Sequence, residues 1–155
     1  MRAAAGVLAV VSVLMLAGCA QSGEGGSAVD REPLQKPKVL SVHRGLPAGL
    51  GIEGRQPKAV AAILWPGKVA LATWGSSTCP NTPVRMRTAG AQALRVLLDL
   101  PGSKRVMCTA DLGPTTVRLG LDPAMTRDGT VELMLRFRDQ GDDVRVVARP
   151  LSGAG

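Results

Sequence analysis

The sequence predicts an all-β fold, a small antiparallel β-sandwich or barrel-like domain of six to eight strands. Three observations predict it: apolar and polar residues alternate with period two in several segments, two further runs are almost continuously apolar, and turn signals separate these segments at fairly regular intervals.

The clearest alternation is Val131-Glu132-Leu133-Met134-Leu135-Arg136-Phe137-Arg138, where every odd position is apolar and most even positions are charged. Such a pattern gives a strand one buried and one wet face. Val84-Arg85-Met86-Arg87-Thr88, Leu94-Arg95-Val96 and Val117-Arg118-Leu119-Gly120-Leu121 alternate in the same way, and Val144 to Arg149 repeats the pattern less strictly. Ala59–Trp65 and Val69–Trp74 are the continuously apolar runs and suit central strands. The first of them also fits a short helix opened by Pro57, and length does not separate the two readings.

Turn signals fall at Pro66-Gly67, Ala89-Gly90, Pro101-Gly102, Gly113-Pro114, Asp122-Pro123, Asp128-Gly129 and Gln140-Gly141-Asp142. An L-Pro-Gly pair does not suit the primed turns of tight hairpins, so the strands flanking Pro66-Gly67 are not expected to pair directly. Val39–Gln56 is ambiguous: Val39-Leu40-Ser41-Val42 could be a strand, but the Gly- and Pro-containing residues that follow suggest an irregular stretch.

Composition narrows the chemistry. The chain has 155 residues, 45% of them hydrophobic, which is enough to bury one core. It has one His, one Phe, two Trp and no Tyr. A site built on stacked rings therefore has almost nothing to work with, and a metal centre built on several His is excluded. No cofactor-binding motif, phosphate loop or calcium loop is visible.

The N-terminus reads as an address. Met1-Arg2 is a short positive start, Ala3–Leu16 is mostly apolar, and small residues follow, as in a secretory signal peptide. The apolar run is shorter than the roughly 20 residues a spanning helix needs. Leu16-Ala17-Gly18-Cys19 resembles the bacterial lipobox. The resemblance implies cleavage before Cys19, a diacylglyceryl group on its sulfur, and acylation of the new N-terminus. Two or more acyl chains anchor stably. The expected location is therefore the outer face of the cytoplasmic membrane, in the cell envelope.

The expected organisation is a signal peptide at 1–18, a lipidated N-terminus with a flexible or irregular linker at 19–56, and a β-rich globular domain at 57–151. From Ala20 to about Lys38 the composition is that of a tether, rich in Gly, Ser, Pro and charge. Nineteen flexible residues reach about 22–26 Å.

With lipid on Cys19, Cys79 and Cys108 remain, in surroundings that permit a disulfide. Closing a loop of about 30 residues stabilises by roughly 3.6 kcal/mol on the chain-entropy estimate. The rival reading is a reactive thiol pair, although the spacing is far from C-x-x-C. Around these cysteines, Trp74-Gly75-Ser76-Ser77-Thr78-Cys79-Pro80, followed by Cys108-Thr109-Ala110-Asp111 and Pro114-Thr115-Thr116, resembles a group of small actinobacterial secreted lipoproteins. The resemblance spans about residues 60–150 and supports location and disulfide, but implies no activity.

No catalytic set emerges. His43 lies in the Gly-rich approach segment, and a triad needs a base held beside its nucleophile. Gly75-Ser76-Ser77-Thr78 lacks the second Gly of a nucleophile elbow and reads as a strand-ending loop leading to Cys79. Asp111 is expected to bond the Thr115 or Thr116 hydroxyl, or backbone N–H groups, and so brace the Gly113-Pro114 turn. Asp142-Asp143 reads as a turn.

Arginine is the remaining signal. The net charge is +7, or +6 once Arg2 leaves with the leader, and from Pro80 onward ten Arg and one Lys face eight acids. Arg85, Arg87, Arg95, Arg118, Arg136, Arg138, Arg145 and Arg149 all fall on the polar sides of their strands. Of these, Arg85, Arg87, Arg118, Arg136 and Arg138 are the candidate anion-binding face, for lipid headgroups, wall phosphates or an acidic partner. The bland alternative is a solvated surface with charges paired by Asp99, Asp122, Glu132 and Asp139. An extracytoplasmic location and missing aromatics argue against nucleic acid. The functional expectation is a non-enzymatic, membrane-anchored binding or scaffolding domain. The alternatives are a carrier of an apolar ligand and an envelope-processing hydrolase.

Overall fold

Burial follows the sequence alternation closely between Val131 and Phe137: Val131, Leu133, Leu135 and Phe137 are buried, and Arg136 is exposed. A computed structural model describes residues 33–52, 57–100, 107–138 and 140–151. The expected signal peptide at 1–18, Cys19 and the expected tether up to residue 32 lie outside the described residues, as does the Pro101-Gly102 turn signal. Eight strands are present among the described residues: β1 (Lys38–Arg44), β2 (Ala59–Trp65), β3 (Lys68–Ser76), β4 (Thr82–Gly90), β5 (Ala93–Asp99), β6 (Leu112–Gly120), β7 (Val131–Phe137) and β8 (Asp143–Pro150). A 3-10 turn, Pro123–Thr126, precedes β7 and is capped by Asp122, whose side chain accepts from the Ala124 N–H at 2.8 Å.

The strands form one curled sheet, a half-barrel, in the order β1-β6-β3-β2-β8-β7-β5-β4. The all-β, barrel-like expectation holds, with one difference: the sheet is mixed. β5 pairs with β7, and β2 with β8, in parallel. Short turns suggested consecutive antiparallel neighbours, but only β2–β3, β4–β5 and β7–β8 are hairpins. The β5–β6 and β6–β7 connections cross between the two wings of the sheet, which brings β5 and β7 together pointing the same way.

The concave side holds the core. Ala61, Ile63, Val69 and Leu71 from one wing meet Leu94, Val96, Leu98, Leu133, Leu135 and Ala148 from the other. The continuously apolar runs are indeed interior strands, β2 and β3, each flanked on both sides. Ala59–Trp65 is a strand and not a helix, because its backbone groups are taken by β3 and β8.

Two expectations about the chain path are corrected. First, β2 and β3 pair directly across Pro66-Gly67, with Trp65 opposite Lys68. Gly67 has φ +72, so Pro precedes a left-handed Gly as a type II turn requires. A register shift between Ile63 and Trp65 absorbs the mismatch between that turn and the twist of the strands. The turn is also pinned from outside: the Gly67 N–H donates to the Thr126 hydroxyl at 2.8 Å, and its carbonyl accepts from Leu121 N–H at 2.8 Å. Second, the folded unit begins before residue 57. Lys38–Arg44 is a full strand on β6, and Gln35 forms a bridge to Met86. Lys38 therefore belongs to the sheet and not to a tether, and His43 stands in β1 opposite Thr116 instead of in a loop.

Gly113-Pro114 is likewise inside β6, opposite Gly75 and Trp74, and is not a turn. The Pro is tolerated because β1 ends at Arg44. Gly45 comes next: its N–H donates to the Pro114 carbonyl at 2.9 Å, and its own carbonyl accepts from the Thr116 hydroxyl at 2.6 Å. Thr116 thus supplies the donor that proline lacks. No buried side-chain nitrogen or oxygen among the described residues is left without a partner.

Candidate anion-binding face

The register of β4, β5, β7 and β8 sets their outward side chains in transverse rows. Arg87 stands opposite Arg95, Arg95 opposite Met134, and Met134 opposite Arg145. The next row runs Arg85, Leu97, Arg136, Asp143. Neighbouring strands lie about 4.8 Å apart, so each row spans roughly 15 Å. The inward residues between them, Met86, Val96, Leu135 and Val144, face the core.

Among the described residues the carboxylates on this wing are Asp99, Glu132 and Asp143, and each lies near an arginine. Glu132 pairs with Arg145 through two contacts, 2.6 Å to Nε and 2.7 Å to Nη2. Asp99 holds Arg138 at 2.8 Å. Asp143 approaches Arg136 only to 3.9 Å, and the Arg136 side chain is 65% exposed. Arg85 is exposed, with no ion pair among the described residues. Of the acids expected to pair the charge, Asp99 and Glu132 do so, Asp122 instead caps the 3-10 turn, and Asp139 lies outside the described residues. Among the described residues of this wing arginines outnumber carboxylates.

Two shallow grooves lie on this surface. The first, about 300 Å³, is rimmed by Arg87, Arg95, Arg136 and, at one end, the Asp143 carboxylate, over Leu34, Leu97 and Met134. The second, about 730 Å³, follows the seam between the approach to β1 and β4, with Lys36, Arg85 and Arg138 around Val39 and Val84. Both combine an apolar floor with guanidinium or ammonium groups. That chemistry suits a phosphate- or carboxylate-bearing ligand with an apolar part.

Of the five arginines predicted for the face, the structure groups Arg85, Arg87, Arg136 and Arg138. Arg118 lies elsewhere, on β6 opposite Ala70 of β3, with β3, β2 and β8 between β6 and β7. The five had been grouped by alternation, which says which side of a strand is wet but not which strands are neighbours. Leu34 and Lys36 were not legible as site residues, because they come from the approach segment and reach the grooves only through the Gln35 bridge.

A second polar cluster surrounds the disulfide between Cys79 and Cys108, whose Cα atoms are 5.4 Å apart. Its formation answers the question of thiols or bridge. Thr109 is the hub, with its hydroxyl near those of Ser76 at 2.9 Å and Thr78 at 3.2 Å. Asp111 accepts from the Thr109 hydroxyl and, at 3.4 Å, from the Ser77 N–H. It therefore ties the two bridged loops together, while Thr116, one of its expected partners, bonds Gly45. Hydrogen bonds from Ser77, and then Thr109, hold the Asp111 carboxyl below the usual carboxylate range. A carboxylate so stabilised is a weak base, and His43 makes no hydrogen bond to this cluster. The arrangement braces the bridge. Among the described residues no group of three or more His, Cys, Asp or Glu is placed to hold a metal, and no helix is long and apolar enough to cross a membrane.

Fold and face together define a half-barrel β-domain with a cationic outer wing. Comparison of the chain with protein-family models, with curated proteins and with solved structures found no match.

Proposed function

We propose that this chain is a lipid-anchored, extracytoplasmic, non-enzymatic domain that binds an anionic component of the cell envelope through the outer wing of β4, β5, β7 and β8. The observation that carries this reading is the pair of register rows that brings Arg85, Arg87, Arg95 and Arg136 onto one surface, over an apolar floor of Leu97 and Met134. Lipidation rests on Leu16-Ala17-Gly18-Cys19, and the actinobacterial lipoprotein resemblance supports the same compartment. The carrier alternative has less support, because the concave side is filled by the side chains of the core.

Binding of a fluorescent polyphosphate probe to the full chain tests the reading. The expected result is saturable binding that weakens steeply with salt and is at least about ten-fold weaker in the double variant Arg85→Glu/Arg136→Glu. Equal affinity of wild type and variant overturns it. Lipidation is tested separately by Cys19→Ser, which should leave the precursor uncleaved at that site and without lipid label.

A further inference from the structure

We infer that the occupant of the cationic wing is the anionic phospholipid surface itself, so that the domain lies face-down on the membrane that anchors it. This inference rests on the proposed anion-binding reading and adds the ligand's identity and the domain's orientation.

The argument is one of placement. Leu34, half exposed, lines the same groove as Arg87, Arg95 and Arg136. It lies 15 residues beyond Cys19. A chain of that length spans at most about 50 Å even when fully extended. The anchored chain therefore enters the folded domain at the rim of its cationic wing, and that wing stays within reach of the headgroups. At such reach the effective concentration of the surface is of millimolar order, so individually weak Arg–phosphate contacts suffice.

The composition of the wing fits a headgroup layer. Arg85 and Arg136 are exposed, and the carboxylate nearest Arg136 is 3.9 Å away. Leu34, Leu97 and Met134 lie between the cations, where they can meet the glycerol and upper acyl region while the guanidinium groups hold phosphates. Lys36 and Arg85 extend the charge along the seam beside β4. Arg118 stands on β6, opposite Ala70 of β3, outside the two arginine rows.

The test uses the full anchored chain in phosphatidylcholine vesicles with and without about 30 mol% phosphatidylglycerol, an anionic fraction that sets a surface potential. Each vesicle type carries a trace of its own photoactivatable lipid, and labelled peptides are mapped. The expected labelling falls on the peptides containing Leu34–Lys36, Arg85–Arg95 and Met134–Arg138, only in the anionic vesicles. It should fall by at least about ten-fold in Arg85→Glu/Arg136→Glu, with Arg85→Gln/Arg136→Gln intermediate. An unchanged melting temperature of the neutral variant controls for folding. Labelling centred on Arg118 or on the Pro66-Gly67 hairpin, or labelling insensitive to charge, overturns the orientation. Polyphosphate binding without lipid labelling overturns membrane docking while keeping the anion-binding reading, and assigns the wing to a wall polymer or acidic protein. Loss of both overturns both.

Discussion

Gln35 and Met86 exchange both of their backbone hydrogen bonds, at 2.7 and 2.8 Å. Gln35 precedes β1, one edge of the half-barrel, and Met86 lies in β4, the other edge. At this bridge the two ends of the curled sheet meet, and it sets Leu34 and Lys36 beside the cationic wing. Gln35→Pro removes one donor of the bridge and should cost about 1 kcal/mol. Gln35→Ala keeps the backbone donor and serves as the side-chain control. Amide hydrogen exchange checks this: Met86 should exchange faster in the Pro variant than in the Ala variant.

The Cys79–Cys108 bridge joins the loop after β3 to the segment before β6 across 29 residues. On the chain-entropy estimate its reduction removes about 3.6 kcal/mol, which lowers the melting temperature of a domain this size by about 10–20 °C. Calorimetry with and without reductant reads the shift. An unchanged curve, with both thiols alkylated, would show that the bridge does not contribute to stability.

Asp111 gives the bridged loops a pH dependence. Its folded-state pKa is lowered, through hydrogen bonds from Ser77 and Thr109. A group with a lowered folded pKa stabilises the fold above its unfolded pKa, and that stabilisation disappears as the pH falls through the folded value. Asp111→Asn should therefore melt lower than wild type at neutral pH, and the gap should close on acidification below the usual carboxylate range. Melting curves from about pH 7 to pH 2.5 test this; a constant gap contradicts it.

Thr116 is buried, and its hydroxyl donates to the Gly45 carbonyl at 2.6 Å, beside Pro114. Thr116→Val keeps the shape and removes the donor, leaving a carbonyl that the Pro114 nitrogen cannot satisfy. The expected cost is about 1–3 kcal/mol in urea denaturation, with Thr116→Ser largely restoring stability. Equal stability of the Val variant would mean that water reaches Gly45.

The sequence by itself determined the alternating strands and their wet sides, while it left Ala59–Trp65 between strand and helix, left Val39–Val42 open and read Gly113-Pro114, inside β6, as a turn. Alternation in Val131–Phe137 and Val84–Thr88 is a local property, since successive side chains point to opposite faces whatever the neighbours are. The apolar runs of β2 and β3 marked them as interior for the same reason, because both of their faces are covered. Tertiary structure alone decided which strands became neighbours. The parallel β5–β7 pair, the direct pairing across Pro66-Gly67 and the place of β1 in the sheet all depend on contacts between distant segments, which no local pattern encodes. The same limit applied to the arginines. Alternation put Arg85, Arg136 and Arg118 on wet faces alike, but pairing order set the first two in one row, with Leu97 between them, and put the third on β6, outside that row. Leu34 and Lys36 joined them only because two hydrogen bonds hold Gln35 against Met86.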